Sequence, residues 1–130
     1  LTLRHCPQAF VRVRVETEGG GSAWGAAAEM MAPKWFDKDL ALTNEQNFEQ
    51  LREVLRIARS AYLSDASPAT AFGHFARHYD EQLRQGALRG FNPLLASYCP
   101  ALVDRAGMII QLMQFEAADM GGHGENDRLQ

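Results

Sequence analysis

Residues 10–25 have the sequence FVRVRVETEGGGSAWG, and this stretch decides the first part of the fold. Valine alternates with arginine over residues 11–15, and a period of two predicts a strand that buries one face. We expect Val11, Val13 and Val15 to point inward. The glycines at 19–21 can supply the positive φ of a tight turn, and residues 22–26 can return as the partner strand. The stretch predicts an antiparallel hairpin, which needs a third strand or a helical layer to be stable.

A helix is predicted to begin at Thr43. Thr43 and Gln46 have the spacing of a capping box, and apolar residues recur at helical intervals from Phe48 to Tyr62. We expect this helix to end near residues 64–65. Residues 30–42 follow neither period and are predicted to form a loop.

Two further helices complete the predicted bundle. Ser67 and Pro68 suit the N-cap and first turn of the second helix, and Gly86 can end it. Pro100 can begin the third, with an apolar stripe formed by Leu102, Ala106, Ile109, Met113 and Ala117. The fold class is therefore α+β, a hairpin or meander followed by about three helices. We expect one domain over residues 1–120 and a mobile tail over residues 121–130.

Composition and charge argue against nucleic acid and membranes as partners of this chain. The 130 residues carry a formal net charge of −3, and the basic residues do not form the stripe that binds nucleic acid. The apolar runs are shorter than the roughly 20 residues of a membrane span. Cys6 and Cys99 match no metal or redox motif and are expected to be free thiols. We expect a cytoplasmic protein with neither a nucleic-acid nor a membrane partner.

One grouping has the spacing of metal ligands. His74, His78 and Glu81 could share one face of the second helix, as ligands of a divalent metal do. The alternative is that the histidines are solvated or hydrogen-bonded locally. This alternative is preferred, because no further ligand is evident in the sequence. Of the aromatic residues, Trp24 and Phe36 are expected in the core, and Tyr98 either in the core or on a pocket wall.

The order of these segments resembles a known family. Residues 10–25, residues 28–38, the two helices that follow, and the stretch SYCPALVDRA at 97–106 resemble the N-terminal capping domain of the mandelate racemase and muconate lactonizing enzyme group of the enolase superfamily. The resemblance covers residues 1 to about 106. It implies a three-stranded meander and a helical bundle that close over a (β/α)-barrel.

The resemblance also implies separate roles for the barrel and the cap. In the family, the barrel carries the catalytic base and the acidic ligands of Mg²⁺, and the cap shapes a pocket for a carboxylate substrate. Carried onto this chain, the substrate-facing positions would be His5, Ser97 and Tyr98. No catalytic residue and no cofactor are expected in the chain itself.

The chain departs from the family in three respects. The family's first strand would precede Leu1, the barrel is absent, and the sequence diverges after Ala106. Two principal hypotheses follow: a partial enzyme of the isomerase or lyase type that needs a barrel, or a standalone α+β binding or assembly module. Under the first hypothesis, exposed apolar surface would contact a barrel or be covered in a homo-oligomer. Under the second, it would bind the module's own ligand or partner. A small metal-dependent enzyme built on His74, His78 and Glu81 is the third hypothesis.

Overall fold

The computed structural model describes residues 5–17 and 19–107, which form an α+β fold. Its elements, in chain order, are β1 (Gln8–Glu16), β2 (Ser22–Met30), α1 (Pro33–Phe36), α2 (Asn44–Ser64), α3 (Ala71–Leu88), α4 (Pro93–Ala96) and α5, whose described part is residues 98–107. The predicted order of a hairpin followed by about three main helices is confirmed. The positions Leu1 to Arg4, Ile109, Met113, Ala117 and the predicted tail lie outside the described residues.

The hairpin pairs its two strands in an antiparallel register that runs from Gln8 opposite Met30 to Glu16 opposite Ser22. At the turn, Gly20 has a φ of +79° and its N–H donates to the carbonyl of Thr17 at 2.9 Å. Glycine suits this position because side chains disfavour a positive φ. The second strand extends to Met30, beyond the predicted residue 26.

The face of the hairpin that carries the valines points toward the helices, as predicted. All three valines are half-buried, and Val11, the one farthest from the turn, packs against the core. The expectation that Trp24 lies in the core is wrong, because its side chain is 51% exposed. In the observed register Trp24 lies opposite Arg14, on the face that alternation turns away from the valines.

Helix α2 begins where the sequence predicts. The Thr43 hydroxyl accepts from the Gln46 N–H at 3.2 Å, and the Gln46 side chain accepts from the Thr43 N–H at 2.7 Å. These reciprocal bonds satisfy two donors that a helix N-terminus leaves without partners. The helix ends at Ser64 with Asp65 as its C-cap.

Both predicted ends of α3 are wrong. The helix begins at Ala71, with the Thr70 hydroxyl accepting from the Gly73 N–H at 3.0 Å, because the side chain of Asp65 engages the Ser67 N–H and holds the preceding residues in a loop. Gly86 lies inside the helix. The chain turns instead at Gly90, whose φ is +70°, and the N–H of Phe91 donates to the Gly86 carbonyl in a Schellman motif.

The segment predicted as a loop, residues 30–42, contains the single turn α1. Lys34 on this turn organises the residues that follow: its ammonium group donates to the Asp39 carbonyl, the Leu42 carbonyl and the Asn47 side chain, each at 2.7 Å. An ammonium group has three donors, so all of its bonding capacity is used. Lys34 thereby ties α1 and its loop to the first turn of α2.

The core lies where α2, α4 and α5 meet the base of the hairpin. Its cluster comprises Ala9, Met31, Phe48, Leu51, Val54, Leu95, Ala96, Tyr98 and Leu102. Phe36 packs against this cluster. Between α2 and α4, the buried Gln82 amide donates to the Val54 and Ala96 carbonyls at 3.0 and 3.3 Å, so α3 is joined to both.

Candidate functional site

Tyr98 joins the hairpin to the helices. Its side chain is 4% exposed, its hydroxyl donates to the Glu29 carbonyl at 3.0 Å, and its ring meets the edge of Phe36 at a centroid distance of 4.8 Å. Burial, with a contribution from the nearby Glu29 carboxylate, raises the pKa of this phenol above its ordinary range. Tyr98 therefore lies inside the fold as a hydrogen-bond donor and fixes the end of β2.

The other two predicted substrate-facing residues, Ser97 and His5, share none of the hydrogen-bond partners of Tyr98. The Ser97 hydroxyl donates to the Leu94 carbonyl at 2.9 Å and closes the turn of α4. His5 is exposed at the start of the described chain. Among the described residues, no hydrogen bond joins any two of these three side chains.

A second link between the hairpin and the helices involves Glu29 itself. Its carboxylate accepts from Arg105 of α5 at 2.8 Å, and this hydrogen bond holds the pKa of Glu29 below its ordinary value. The backbone and side chain of Glu29 thus contact two positions on α5, Tyr98 and Arg105, that are about two turns apart. Sequence reasoning missed this role because the partners lie 69 and 76 residues further along the chain.

The opposite face of the hairpin is exposed, and it carries apolar side chains beside the charged Arg12, Arg14 and Glu16. Phe10 is 76% exposed, Trp24 51% and Met30 53%. We name this surface the outer sheet face, formed by Phe10, Trp24, Ala26, Ala28 and Met30. The Arg12 guanidinium lies 4.0 Å from the Trp24 ring centroid and covers part of that ring. Exposed apolar side chains that share one face can contribute to a binding surface.

A polar cluster forms where α2 ends and α3 begins. Asp65 Oδ2 lies 2.8 Å from His78 Nε2, 3.4 Å from His74 Nδ1 and 2.6 Å from Arg77 Nη1. The other carboxylate oxygen accepts from the Ser67 N–H at 3.0 Å. This backbone bond and the Arg77 guanidinium hold the pKa of Asp65 well below its ordinary range. The carboxylate is therefore ionised and ready to accept from cationic groups.

Of the residues predicted from metal-ligand spacing, the structure brings together His74 and His78 but not Glu81. The Glu81 carboxylate instead accepts from Arg84 at 2.6 Å, which lowers its pKa to about 2. Asp65 stands in its place, and the three ligand atoms of Asp65, His74 and His78 all lie within 4.8 Å of one another. Two imidazoles and one carboxylate do not suit Mg²⁺, which prefers oxygen ligands.

Comparisons with models of known families, with curated proteins and with solved structures give no match to this chain.

No helix within residues 5–17 and 19–107 combines the length and hydrophobicity that crossing a membrane requires.

Proposed function

We propose that this chain is the capping part of an enolase-superfamily enzyme, and that it shapes the pocket for a carboxylate substrate over a barrel that these 130 residues do not include. The barrel would hold the Mg²⁺ and supply the catalytic base. The observation that carries the proposal is the outer sheet face, with its exposed Phe10, Trp24 and Met30. Exposed apolar side chains that share one face can form a contact surface, and a cap would use them against its partner.

The fold supports the proposal in a second way. The Val-rich strand, the glycine turn and the Trp-Gly strand form a hairpin, and the helices follow it in the order that the resemblance implies. Tyr98 and Glu29 fix the hairpin to α5, so the outer sheet face has a defined orientation toward a partner. Cys6 and Cys99 are both free thiols, which fits the reducing cytoplasm that we include in the proposal.

The first test is the coding sequence downstream of this chain. We expect a barrel with a Lys-x-Lys stretch on one strand and spaced acidic ligands on later strands. That barrel would be produced separately, mixed with the full chain, and examined by sedimentation velocity. A one-to-one complex is expected, and a barrel that forms no complex with the chain contradicts the proposal, as does a downstream region that encodes no barrel.

Surface variants sharpen the binding measurement. Phe10→Ser and Trp24→Ser change exposed side chains of the outer sheet face, and each is expected to weaken the complex about tenfold, since central aromatic contacts often contribute more than about 1 kcal/mol. Leu63→Ser is the matched control, because Leu63 is 71% exposed but lies in the last turn of α2. Equal affinity for all three variants would mean that the outer sheet face is not the docking surface.

The alternative is a standalone α+β assembly module. The observation that favours it is that both strands of the described hairpin have a hydrogen-bonding edge without a partner strand, beside the same apolar face. Such edges pair readily with a second chain. Light scattering separates the two functions: a dimer of the full chain that Phe10→Ser dissociates supports the module, and a monomer that binds the barrel supports the cap.

A further inference from the structure

The junction of α2 and α3 carries a cluster that neither the capping role nor the core explains. We propose that Asp65, His74 and His78 form a binding site for a divalent transition metal of the zinc class. The site lies at the junction of α2 and α3 and contains no residue of the hairpin. It is independent of the proposed function, since none of its three residues belongs to the outer sheet face or contacts Glu29.

The distances fit three ligands around one ion. Bonds of about 2.0–2.2 Å in a tetrahedral site place the ligand atoms roughly 3.3 Å from one another. His74 Nδ1 lies 3.4 Å from Asp65 Oδ2, and His78 Nε2 lies 2.8 Å from the same oxygen. Since all three ligand atoms are within 4.8 Å of one another, small side-chain rotations suffice to enclose an ion.

The fold holds these ligands in place. His74 and His78 are four residues apart on α3 and therefore share one helix face. Asp65 is anchored through its other oxygen by the Ser67 N–H, and the His78 ring packs against Tyr62 at a centroid distance of 4.6 Å. The side chains of Asp65 and His78 are 10% and 14% exposed, while that of His74 is 31% exposed. The cluster is thus enclosed on the protein side and open beside His74, where water could complete the coordination.

Arg77 determines how strongly a metal can bind. Its guanidinium occupies the cation position beside Asp65 Oδ2 at 2.6 Å and also donates to the Ser67 carbonyl at 3.3 Å. The Arg77 side chain is 40% exposed, so it can turn into solvent when an ion enters. A metal must displace one positive charge to bind, and removal of that charge should strengthen binding. Competition between Arg77 and the metal for Asp65 distinguishes the proposed site from a surface histidine pair, whose affinity for metal would not depend on Arg77.

The donor set selects among metals. Imidazole nitrogens favour Zn²⁺, Co²⁺ and Ni²⁺, whereas Mg²⁺ and Ca²⁺ prefer sites made entirely of oxygen. We expect the full chain to bind one Zn²⁺ or Co²⁺ and to leave Mg²⁺ unbound. A bound ion would connect the C-terminus of α2 to α3 across the loop at residues 66–70, and it would raise the melting temperature by mass action.

The test is a titration of the full chain with Zn²⁺ by calorimetry and with Co²⁺ by its visible absorption. His78→Ala and His74→Ala are each expected to weaken binding at least about tenfold. Arg77→Gln is expected to tighten it. His5→Ala and His123→Ala are matched controls that remove the other two of the four histidines, and each should leave the affinity unchanged.

The outcomes decide the proposal in either direction. If the two cluster variants bind as the parent chain does, or if His123→Ala abolishes binding, the metal is an adventitious ion only and the site is refuted. A parent chain that binds neither Zn²⁺ nor Co²⁺, together with an Arg77→Gln variant that also binds none, refutes it as well. His74→Ala changes a partly exposed side chain, so it remains informative if His78→Ala fails to fold, and circular dichroism checks the fold of each variant.

Discussion

At the scale of single residues, Tyr98 and Tyr62 differ in what their hydroxyl groups contact. The Tyr98 hydroxyl donates to the Glu29 carbonyl, whereas the enclosed Tyr62 hydroxyl has no hydrogen-bond partner among the described residues. Tyr98→Phe should lower the free energy of unfolding by about 1 kcal/mol, and Tyr62→Phe should leave it unchanged or raise it by up to about 1 kcal/mol. Urea denaturation of the two variants measures the difference, and the reverse order would contradict these contacts.

Asp65 shows why the candidate metal site was only partly predictable. Helical periodicity suffices to place His74 and His78 on one face, because four residues along a helix always return to the same side. It also suggested Glu81, whose carboxylate is taken by Arg84 one turn away. Asp65 precedes its histidine partners by 9 and 13 residues and reaches them through a loop. No local pattern specifies the course of such a loop, although an aspartate at a helix end was a signal worth testing.

At the scale of elements, the contacts of Lys34 give a second prediction. Lys34→Met removes three charge-assisted hydrogen bonds and leaves the buried Asn47 side chain without its cationic donor. We expect a loss of roughly 2–4 kcal/mol in the free energy of unfolding. Lys38→Met is the matched control, since Lys38 is exposed and close in sequence. Equal denaturation midpoints for the two variants would show that Lys34 does not fasten α1 to α2.

The approach of α3 to α4 gives a third prediction. A Cβ atom at Gly86 would lie 2.6 Å from the Ala96 Cβ, closer than two carbon atoms can approach. Gly86→Ala should therefore destabilise the fold by about 1–3 kcal/mol, despite the better helix propensity of alanine. Gly19→Ala is the control, because a Cβ there would meet nothing within 4 Å. Thermal unfolding of both variants is the measurement, and a stabilised Gly86→Ala protein would be the contrary result.

The elements were predictable where their signals are local. Thr43 and Gln46 cap α2 through side chains three residues apart, so the sequence alone reveals where the helix begins. The start of α3 was not predictable in this way. Ser67 and Pro68 have suitable chemistry for a helix start, but Asp65 binds the Ser67 N–H, and Thr70 takes the capping role instead. Competition between adjacent polar side chains depends on geometry that a sequence pattern does not contain.

At the scale of the whole molecule, the buried Cys99 thiol and the Tyr62 phenol make the free energy of unfolding depend on pH in the alkaline range. Burial raises the pKa of the Cys99 thiol from 9.0 to about 12, and burial with the nearby Cys99 and Asp104 raises the pKa of Tyr62 from 10.0 to about 12. The unfolded chain loses these protons first as pH rises. The free energy of unfolding should therefore be unaffected by these groups below about pH 8 and should fall as the pH rises from about 9 toward 12.

Urea midpoints at about pH 7 and about pH 10 test this dependence. Cys99→Ala removes one of the groups, so its midpoint should fall less over that interval than that of the parent chain. The same raised pKa predicts that Cys99 reacts more slowly with a disulfide reagent in the folded protein than after unfolding in urea. A midpoint that rises with pH would contradict the assignment.

The position of the hairpin in the whole molecule also limited prediction. Alternation in residues 10–16 identifies two faces, and the valines indicate which of them meets the helices. It does not reveal that only Val11 of the three half-buried valines packs against the core, or that Trp24 lies on the opposite side. Those facts depend on how far the helices extend along the sheet, which is a property of the assembled fold.

The attachment of the hairpin at Glu29 has a consequence for its motion. Tyr98 and Arg105 hold one end of the sheet, while the turn at Gly20 lies at the other end, beyond the half-buried valines. The strand pair is thus fixed at one end only. Local opening costs the least free energy where contacts are fewest, which is at the turn. Backbone amides should exchange with deuterium fastest beside the turn and progressively more slowly toward Glu29. A partner that covered the outer sheet face would remove this gradient.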